Sequence, residues 1–194
     1  MSTIAVPTAR RVLADAVSSS RTADLVLVTS GAALVGLLAQ VTIHLGFTPV
    51  PITGQTLGVL LVGSALGWRR ASLSMALYVV AGVAGLPWFA DHTSGVPMAT
   101  FGYLVGFVAA SAVLGWLAAR GADRTVARAA VSMVLGEVVI FAIAVPWLAV
   151  SLHVGLASAI SLGLTPFITG EVIKAAIAGV ALPTTWRLVD RADR

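Results

Sequence analysis

The stretch GLTPFITGEVIKAAIAGVALP, residues 163–183, is apolar along almost its whole length but contains two charged side chains, Glu171 and Lys174. Pro166 is typical of the first position of a helix, and we predict a helix over residues 166–185. About 20 apolar residues are enough to span a membrane. Residues three apart share one helix face, so the carboxylate and the ammonium can meet. A charged group in hydrocarbon is costly and by default marks a functional site, and Lys174 is the only lysine of the chain.

Five further apolar stretches precede this one. The 194-residue chain is 58% hydrophobic and 10% charged, whereas about 25% charge is usual in a soluble domain. We therefore predict an all-α membrane protein with six transmembrane helices. The predicted spans are 24–46, 53–68, 71–90, 99–119, 127–150 and 166–185. The second is short as a clean apolar run, which leaves a tilted, broken or partly re-entrant helix open.

Arginines occupy alternate gaps between these stretches, and the intervening gaps contain neither Lys nor Arg. The arginines are Arg10, Arg11, Arg21, Arg69, Arg70, Arg120, Arg124, Arg128, Arg187, Arg191 and Arg194. Basic residues near helix ends resist translocation. This alternation predicts a multi-pass protein of the cell (plasma) membrane, with both termini in the cytosol.

The same pattern predicts the division of the chain and limits its partners. We expect a cytosolic N-terminal segment over residues 1–23, a membrane domain over residues 24–185 and a cytosolic tail over residues 186–194. The net charge of +4 is spread over short cytosolic gaps and forms no single basic face. The topology of the chain in the lipid bilayer therefore explains the net positive charge, and no nucleic-acid partner is expected.

The predicted outer gaps are rich in Pro, Gly and Thr, as in FTPVPITG (47–54) and LPWFADHTSGVPM (86–98). Non-helical backbone at membrane depth is tolerated only where protein covers it or where it lines a cavity. The outer gaps therefore predict a cavity that faces outward.

The sequence lacks the motifs of several kinds of catalysis and metal binding. There is no cysteine, no Gly-rich phosphate loop ending in Lys-Ser/Thr, and no serine convincingly paired with a histidine. The spacing of His44, His92 and His153 matches no helical metal motif. We expect no enzymatic activity, no ATP hydrolysis by the chain itself, no cofactor and no metal site.

The charged residues in the apolar stretches admit more than one role. Glu171 and Lys174 form either a structural ion pair or a recognition pair for a small ligand that has both N–H and carbonyl or anionic groups. Glu137 pairs with Lys174, lines the cavity, or is protonated because burial disfavours a carboxylate. A proton relay through Glu137 is the weaker interpretation.

Two other groups of residues are also open to more than one interpretation. Trp88 and Tyr103 belong either to an interfacial aromatic belt or to the cover over the apolar part of a ligand. Ala32 and Gly36 form a small-xxx-small pair, which permits close helix packing inside the bundle or docking of a partner.

Four segments in order resemble the BioY family, the biotin-specific S components of energy-coupling factor transporters. They are FTPVPITGQTLGVLLVGSALGWRRA (47–71), ALYVVAGVAGLPWFA (76–90), TFGYLVGF (100–107) and GLTPFITGEVIKAAIAG (163–179). The resemblance implies a six-helix subunit that binds biotin near its outer face. It also implies a transmembrane T component and two ATPase subunits as partners.

The resemblance further implies the binding residues. The acidic residue and the lysine of the last helix map onto Glu171 and Lys174, and other contacts map onto Thr53, Gln55, Thr100, Gly102 and Tyr103. The sequence departs from the family pattern where Glu171 replaces an aspartate, Glu137 an asparagine and Ala99 a proline. An S component for another vitamin and a proton-coupled carrier resting on Glu137 and Glu171 are the alternatives.

Overall fold

The apolar stretches form helices in the structure, a computed structural model that describes residues 12–16 and 20–192. The α-helices are α1 (Arg21–Ala39), α2 (Gln55–Leu66), α3 (Trp68–Val83), α4 (Phe101–Ala118), α5 (Val126–Leu152), α6 (Leu156–Gly163) and α7 (Ile168–Ala192). The shorter elements are the 3-10 turns Leu13–Ala16, Ala90–His92 and Thr165–Phe167 and the strands β1 (Thr42–Ile43) and β2 (Ile52–Thr53).

Within the described residues, four segments are long and apolar enough to cross a membrane, namely α1, α4, α5 and the segment from Leu156 to Ala192. Helices α2 and α3 have 12 and 16 residues, fewer than the approximately 20 of a full span. Gly67 alone separates them, and its backbone, at φ 78° and ψ 163°, lies in a region that only glycine adopts readily. Helices α2 and α3 therefore form a tight hairpin, and the expected shortness of the second span is confirmed.

The structure departs from the predicted boundaries after the first helix. Helix α1 ends at Ala39, and β1 pairs antiparallel with β2, with Thr42 opposite Thr53. Pairing of the two strands satisfies backbone groups that a longer helix would have bonded internally. The predicted first span, 24–46, is therefore too long, and the all-α prediction omits this hairpin.

The last predicted helix also differs. It begins at Ile168 and continues through the predicted tail to Ala192, while the predicted loop before it contains α6. The continuation has a physical cause at Trp186. This buried side chain donates a hydrogen bond of 2.6 Å from Nε1 to Asp123 Oδ2 between α4 and α5. Burial raises the pKa of Asp123, and the hydrogen bond from Trp186 opposes that rise.

Of the predicted N-terminal segment, residues 1–11 and 17–19 lie outside the described residues. In the described part, Val12 and Ala14 are buried in the hydrophobic core. Arg70 Nη1 lies 3.1 Å from Asp15 Oδ1 and joins this segment to α3. Helix α1 starts at Arg21, three residues before the predicted start.

Hydrogen bonds show that the helices alternate in direction and separate the molecule into two ends. At the basic end, the starts of α1 and α3 meet through Arg70 and Asp24, and the end of α7 meets the α4–α5 connection through Trp186. At the loop end, Gln40 after α1 donates to the Trp88 carbonyl after α3. Every described arginine lies at or near the basic end, in agreement with the alternation in the sequence.

Helix α4 lies at the centre of the bundle and packs on α2, α3 and α5. Three glycines permit this. Gly106 lies so close to α5 that an added Cβ would be 3.0 Å from the Ile140 carbonyl oxygen. A Cβ at Gly115 would collide with the Trp68 backbone, and one at Gly102 with the Trp147 side chain.

Candidate functional site

Glu171, Lys174 and Thr56 form a closed cluster between α2 and α7. Lys174 Nζ donates to Glu171 Oε1 at 2.8 Å and to Thr56 Oγ1 at 2.9 Å. Thr56 Oγ1 in turn donates to Glu171 Oε2 at 2.7 Å. The Glu171 side chain is 8% exposed and that of Lys174 13%, so the cluster is largely withdrawn from solvent. The two charges predicted to share a helix face do meet, and Thr56 completes their hydrogen bonding.

The start of α2 carries a second polar group, and the hairpin strand β2 positions it. Thr53 Oγ1 donates to Gln55 Oε1 at 2.9 Å, and Gln55 Nε2 donates to the Tyr78 hydroxyl at 2.8 Å. The Tyr78 hydroxyl donates to the Trp88 carbonyl at 3.2 Å. This chain of bonds fixes the Gln55 amide and ties α2 to α3.

Thr53, Gln55, Thr56 and Glu171 face a cavity of about 70 Å³, whose wall also includes Val50 and Thr93 at the loop end. Its polar wall consists of Thr53, Gln55, Thr56, Thr93, Thr100 and Glu171. Its aromatic wall consists of Phe89, Tyr103, Phe107, Phe141 and Phe167. A site with one polar and one aromatic wall suits a small ligand with a polar head and an apolar body.

The aromatic wall is held by specific contacts. The Tyr103 hydroxyl donates to the Gly163 carbonyl at the end of α6. The Tyr103 and Phe141 rings pack edge to face, with centroids 6.0 Å apart. Phe89 lies directly on Gly82, where any Cβ would collide with its ring. The wall therefore joins α4, α5, α6 and the loop after α3.

Of the predicted site residues, Thr53, Gln55, Thr100, Tyr103 and Glu171 line this cavity. Trp88 does not. Its ring packs on Tyr78, with centroids 5.2 Å apart, and its Nε1 donates to the Tyr78 carbonyl. The next residue, Phe89, faces the cavity instead.

Lys174 and Glu137 lie beside the cavity. Lys174 sits behind Glu171, with its ammonium directed to Glu171 and Thr56. Glu137 is buried on α5 and interacts electrostatically with Glu171 and Lys174. It lines a separate apolar groove of about 590 Å³ between α5 and α7, which shares Phe141 and Glu171 with the cavity. The carboxyl group of Glu137 and the ammonium of Lys174 thus lie beside Glu171 of the polar wall.

The structure places the predicted docking pair inside the bundle. Ala32 is fully buried, and an added Cβ on Gly36 would be 3.2 Å from the Trp88 ring. The docking prediction for Ala32 and Gly36 is therefore wrong, and internal helix packing, the alternative, explains both residues.

Sequence reasoning missed Thr56, Tyr78 and Phe89. A signal existed for the first, because Thr56 directly follows Gln55 in PVPITGQT. Tyr78 and Phe89 lie in the segment 76–90, in which Trp88 is the residue predicted to cover a ligand. No pattern in the sequence distinguishes which of two adjacent aromatic residues faces inward in a loop.

Apolar helices long enough to span a membrane surround a small cavity with one polar and one aromatic wall. This is the architecture of a membrane-embedded protein with an internal ligand site. The model of the BioY family matches residues 10–191, and the chain belongs to this family. The membership and the apolar helices confirm the predicted multi-pass membrane protein.

The chain matches curated relatives over most of their length. The chain is 36% identical over 172 residues to the biotin transporter BioY of Rhizobium etli, and the alignment covers 82% of this chain and 90% of that protein. It is 34% identical over 165 residues to the biotin transporter BioY2 of Lactococcus lactis, covering 82% and 89%. These relatives are transporters, in agreement with the prediction that the chain is not an enzyme.

The fold matches a crystal structure of the S-component for biotin from an ECF-type ABC transporter. The TM-score is 0.78, the sequence identity is 20%, and the match covers 88% of this chain and 95% of the other. The chain therefore has the mostly helical fold of that S-component.

Proposed function

We propose that this chain is the substrate-binding membrane subunit of a biotin uptake transporter. It captures biotin at the loop end, which faces outward, and delivers it inward. The observation that carries this proposal is the meeting of Thr56 and Glu171 with an aromatic wall in one cavity. The family membership and the biotin transporters among its relatives support it.

The cavity chemistry matches the parts of biotin. The ureido ring has two N–H donors, and its bicycle is apolar. A carboxylate offers about four lone-pair sites, and Lys174 and Thr56 occupy one on each oxygen of Glu171. The remaining sites accept the ureido N–H groups, while Tyr103, Phe89 and Phe107 cover the ring.

Lys174 and Glu137 have supporting roles in this proposal. The ammonium has three donors, two of which are used by Glu171 and Thr56. The third binds a biotin oxygen, while the other two hold Glu171 and Thr56 in position. Glu137 places a second carboxyl group close to Glu171 and Lys174. Thr53, Gln55 and Thr100 complete the polar wall.

Biotin entry requires movement of the loop end. Pockets for ligands of drug size have volumes of about 300–1,000 Å³, whereas the cavity has about 70 Å³. The loops around Val50 and Thr93 contribute to its wall, so their outward displacement enlarges it. Their return buries the ligand.

The topology and the partners are part of the same proposal. Six spans place both termini in the cytosol, with α2 and α3 as two short spans and the β1–β2 hairpin joining α1 to α2. The chain lacks a nucleotide-binding motif, so a transmembrane T component and two ATPase subunits provide the energy. No cofactor takes part, and biotin is the substrate.

Equilibrium titration of the purified, detergent-solubilised protein with biotin, thiamine and riboflavin tests the proposal. We expect binding of biotin alone, and its loss in Glu171→Gln. Tighter binding of another vitamin identifies an S component of different specificity. Uptake driven by a pH gradient in vesicles without T and ATPase subunits instead identifies a proton-coupled carrier, for which the proximity of Glu137 to Glu171 is the supporting observation.

A further inference from the structure

A groove of about 920 Å³ runs between α1 and α3, away from the biotin cavity. Arg21, Arg69 and Arg70 lie at its basic end. Its body is apolar and includes Leu25, Leu73 and Val80, which are 68%, 59% and 65% exposed. These side chains face the surrounding hydrocarbon when the bundle spans a membrane.

Among the described residues, two of the three arginines have no carboxylate partner. Arg70 donates from Nε to Asp24 at 2.7 Å and from Nη1 to Asp15 at 3.1 Å, so its charge is balanced. Arg21 and Arg69 are exposed and form no ion pair within residues 12–16 and 20–192. The mouth of the groove therefore presents two guanidinium groups that form no ion pair with the described part of the chain, and that of Arg69 lies 5.1 Å from the centroid of the Trp68 ring.

The length of the channel corresponds to one leaflet of a bilayer. From Arg69 to Val80 is 11 residues of α3, or about 16 Å at about 1.5 Å per residue. Half of a hydrocarbon core of about 30 Å is about 15 Å. An acyl chain whose headgroup lies at the arginines can therefore follow the groove as far as Val80 within one leaflet.

We propose that this groove binds an anionic phospholipid of the cytosolic leaflet. The phosphodiester lies between Arg21 and Arg69, because guanidinium groups bind phosphate oxygens in a bidentate manner. One acyl chain covers Leu25, Leu73 and Val80. Basic pockets between helices on the cytosolic side bind anionic headgroups in this way. The inference rests on the proposed orientation of the basic end and not on biotin binding.

Native mass spectrometry of the full chain, released from detergent, tests this inference with phosphatidylglycerol, phosphatidylcholine and the deacylated headgroup glycerophosphoglycerol. We expect phosphatidylglycerol to bind at least tenfold more tightly than the other two. Arg21→Gln with Arg69→Gln should reduce that preference to less than twofold. The matched control, Arg187→Gln with Arg191→Gln, removes the same charge from exposed positions at the end of α7 and should retain it.

Ala76→Phe fills the groove but keeps both arginines, and we expect it to weaken phosphatidylglycerol binding at least fivefold. Equal binding of the two phospholipids overturns the inference, as does equal loss in the control pair. Equal binding of the deacylated headgroup identifies a phosphodiester site that needs no lipid. If Ala76→Phe spares lipid binding but prevents co-purification of the energising subunits, the groove is a protein interface.

The failure of this inference is distinguishable from failure of the proposed function. Biotin affinity should be equal in the wild type and in all these variants, because the groove does not contact the cavity. A chain that binds phosphatidylglycerol but not biotin retains the lipid site and loses the transport role.

Discussion

The Thr56 hydroxyl donates a hydrogen bond of 2.7 Å to Glu171 and accepts one of 2.9 Å from Lys174, so a single side chain on α2 satisfies both charges on α7. The three groups form a ring in which every member has a partner. Replacing any one leaves the other two incompletely bonded in a buried place, where an unpaired polar group is costly.

Thr56→Val should therefore destabilise the protein, while Thr56→Ser should not. Valine has nearly the shape of threonine but neither donates nor accepts, and an unsatisfied buried partner costs about 1–3 kcal/mol. We expect a lower melting temperature in detergent and weaker biotin binding for Thr56→Val only. Equal behaviour of the two variants contradicts a role for the hydroxyl.

The Glu171–Lys174 pair should serve recognition beyond mutual neutralisation. Removing one partner of a buried pair costs about 3–5 kcal/mol, whereas replacing both is often harmless to stability. Lys174→Met with Glu171→Gln should therefore melt near the wild-type temperature. It should bind biotin at least tenfold more weakly, since each charge-assisted hydrogen bond contributes about 1.5–3 kcal/mol. Unchanged affinity in the folded double variant means that the pair is only structural.

Phe89 and Trp88 should differ in their effects although they are adjacent. Phe89 faces the cavity, so Phe89→Leu should lower biotin affinity about tenfold through loss of ring contact, or about 1.4 kcal/mol. Trp88→Phe removes the bond to the Tyr78 carbonyl and should lower the melting temperature while affinity stays within about threefold. Calorimetric titration and thermal melting of both variants measure this difference, and the reverse pattern would restore Trp88 to the site.

Asp123 should make stability depend on pH. Burial raises its pKa in the folded state, so the folded protein binds more protons than the unfolded chain above the ordinary carboxyl pKa of about 3.9. Stability contributed by this group is therefore present at low pH and lost as pH rises through the folded pKa. Asp123→Asn should flatten the dependence of melting temperature on pH.

Trp186→Phe provides the complementary test for the same group. Without its hydrogen bond donor, the ionised carboxylate is less favourable, and the dependence on pH should steepen. Asp190→Asn, at an exposed position of α7, is the matched control and should leave the wild-type curve unchanged. Identical curves for all variants exclude Asp123 as the titrating group.

The orientation is testable because the chain contains no cysteine. Cysteines introduced singly at Ser94 and Ser2 should react with a membrane-impermeant reagent from opposite sides of intact cells, with position 94 outside. Labelling of both positions from one side contradicts the six-span topology.

The sequence predicted the parts of this fold that depend on hydrophobic length and charge. Helix positions and the grouping of arginines follow from burial of apolar side chains in hydrocarbon and from the cost of translocating guanidinium groups. It did not predict the β1–β2 hairpin, because two-residue strands leave no alternating pattern. The extension of α7 to Ala192 depends on Asp123, about 60 residues away in sequence, and no local pattern contains that contact.

For the candidate site, charge was a better guide than aromatic character. Glu171 and Lys174 were predicted to meet because their cost in hydrocarbon demands a partner, and they do. Thr56 carries no charge and Phe89 resembles many apolar neighbours, so neither has a comparable signal. The orientation of Ala32 and Gly36 was undecided because small residues serve internal and external contacts equally.

The glycines of α4 have a mechanical consequence. At Gly106 and Gly115 the backbone of α4 lies against the backbones of α5 and of the start of α3, so a side chain at either position would have to push these elements apart. The glycines of α7 are less confined, since Gly170 has open space around it and Gly179 makes only ordinary contact. Substitutions at Gly106 and Gly115 should therefore disturb the packing of the bundle, whereas a side chain at Gly170, next to Glu171, can be accommodated without it.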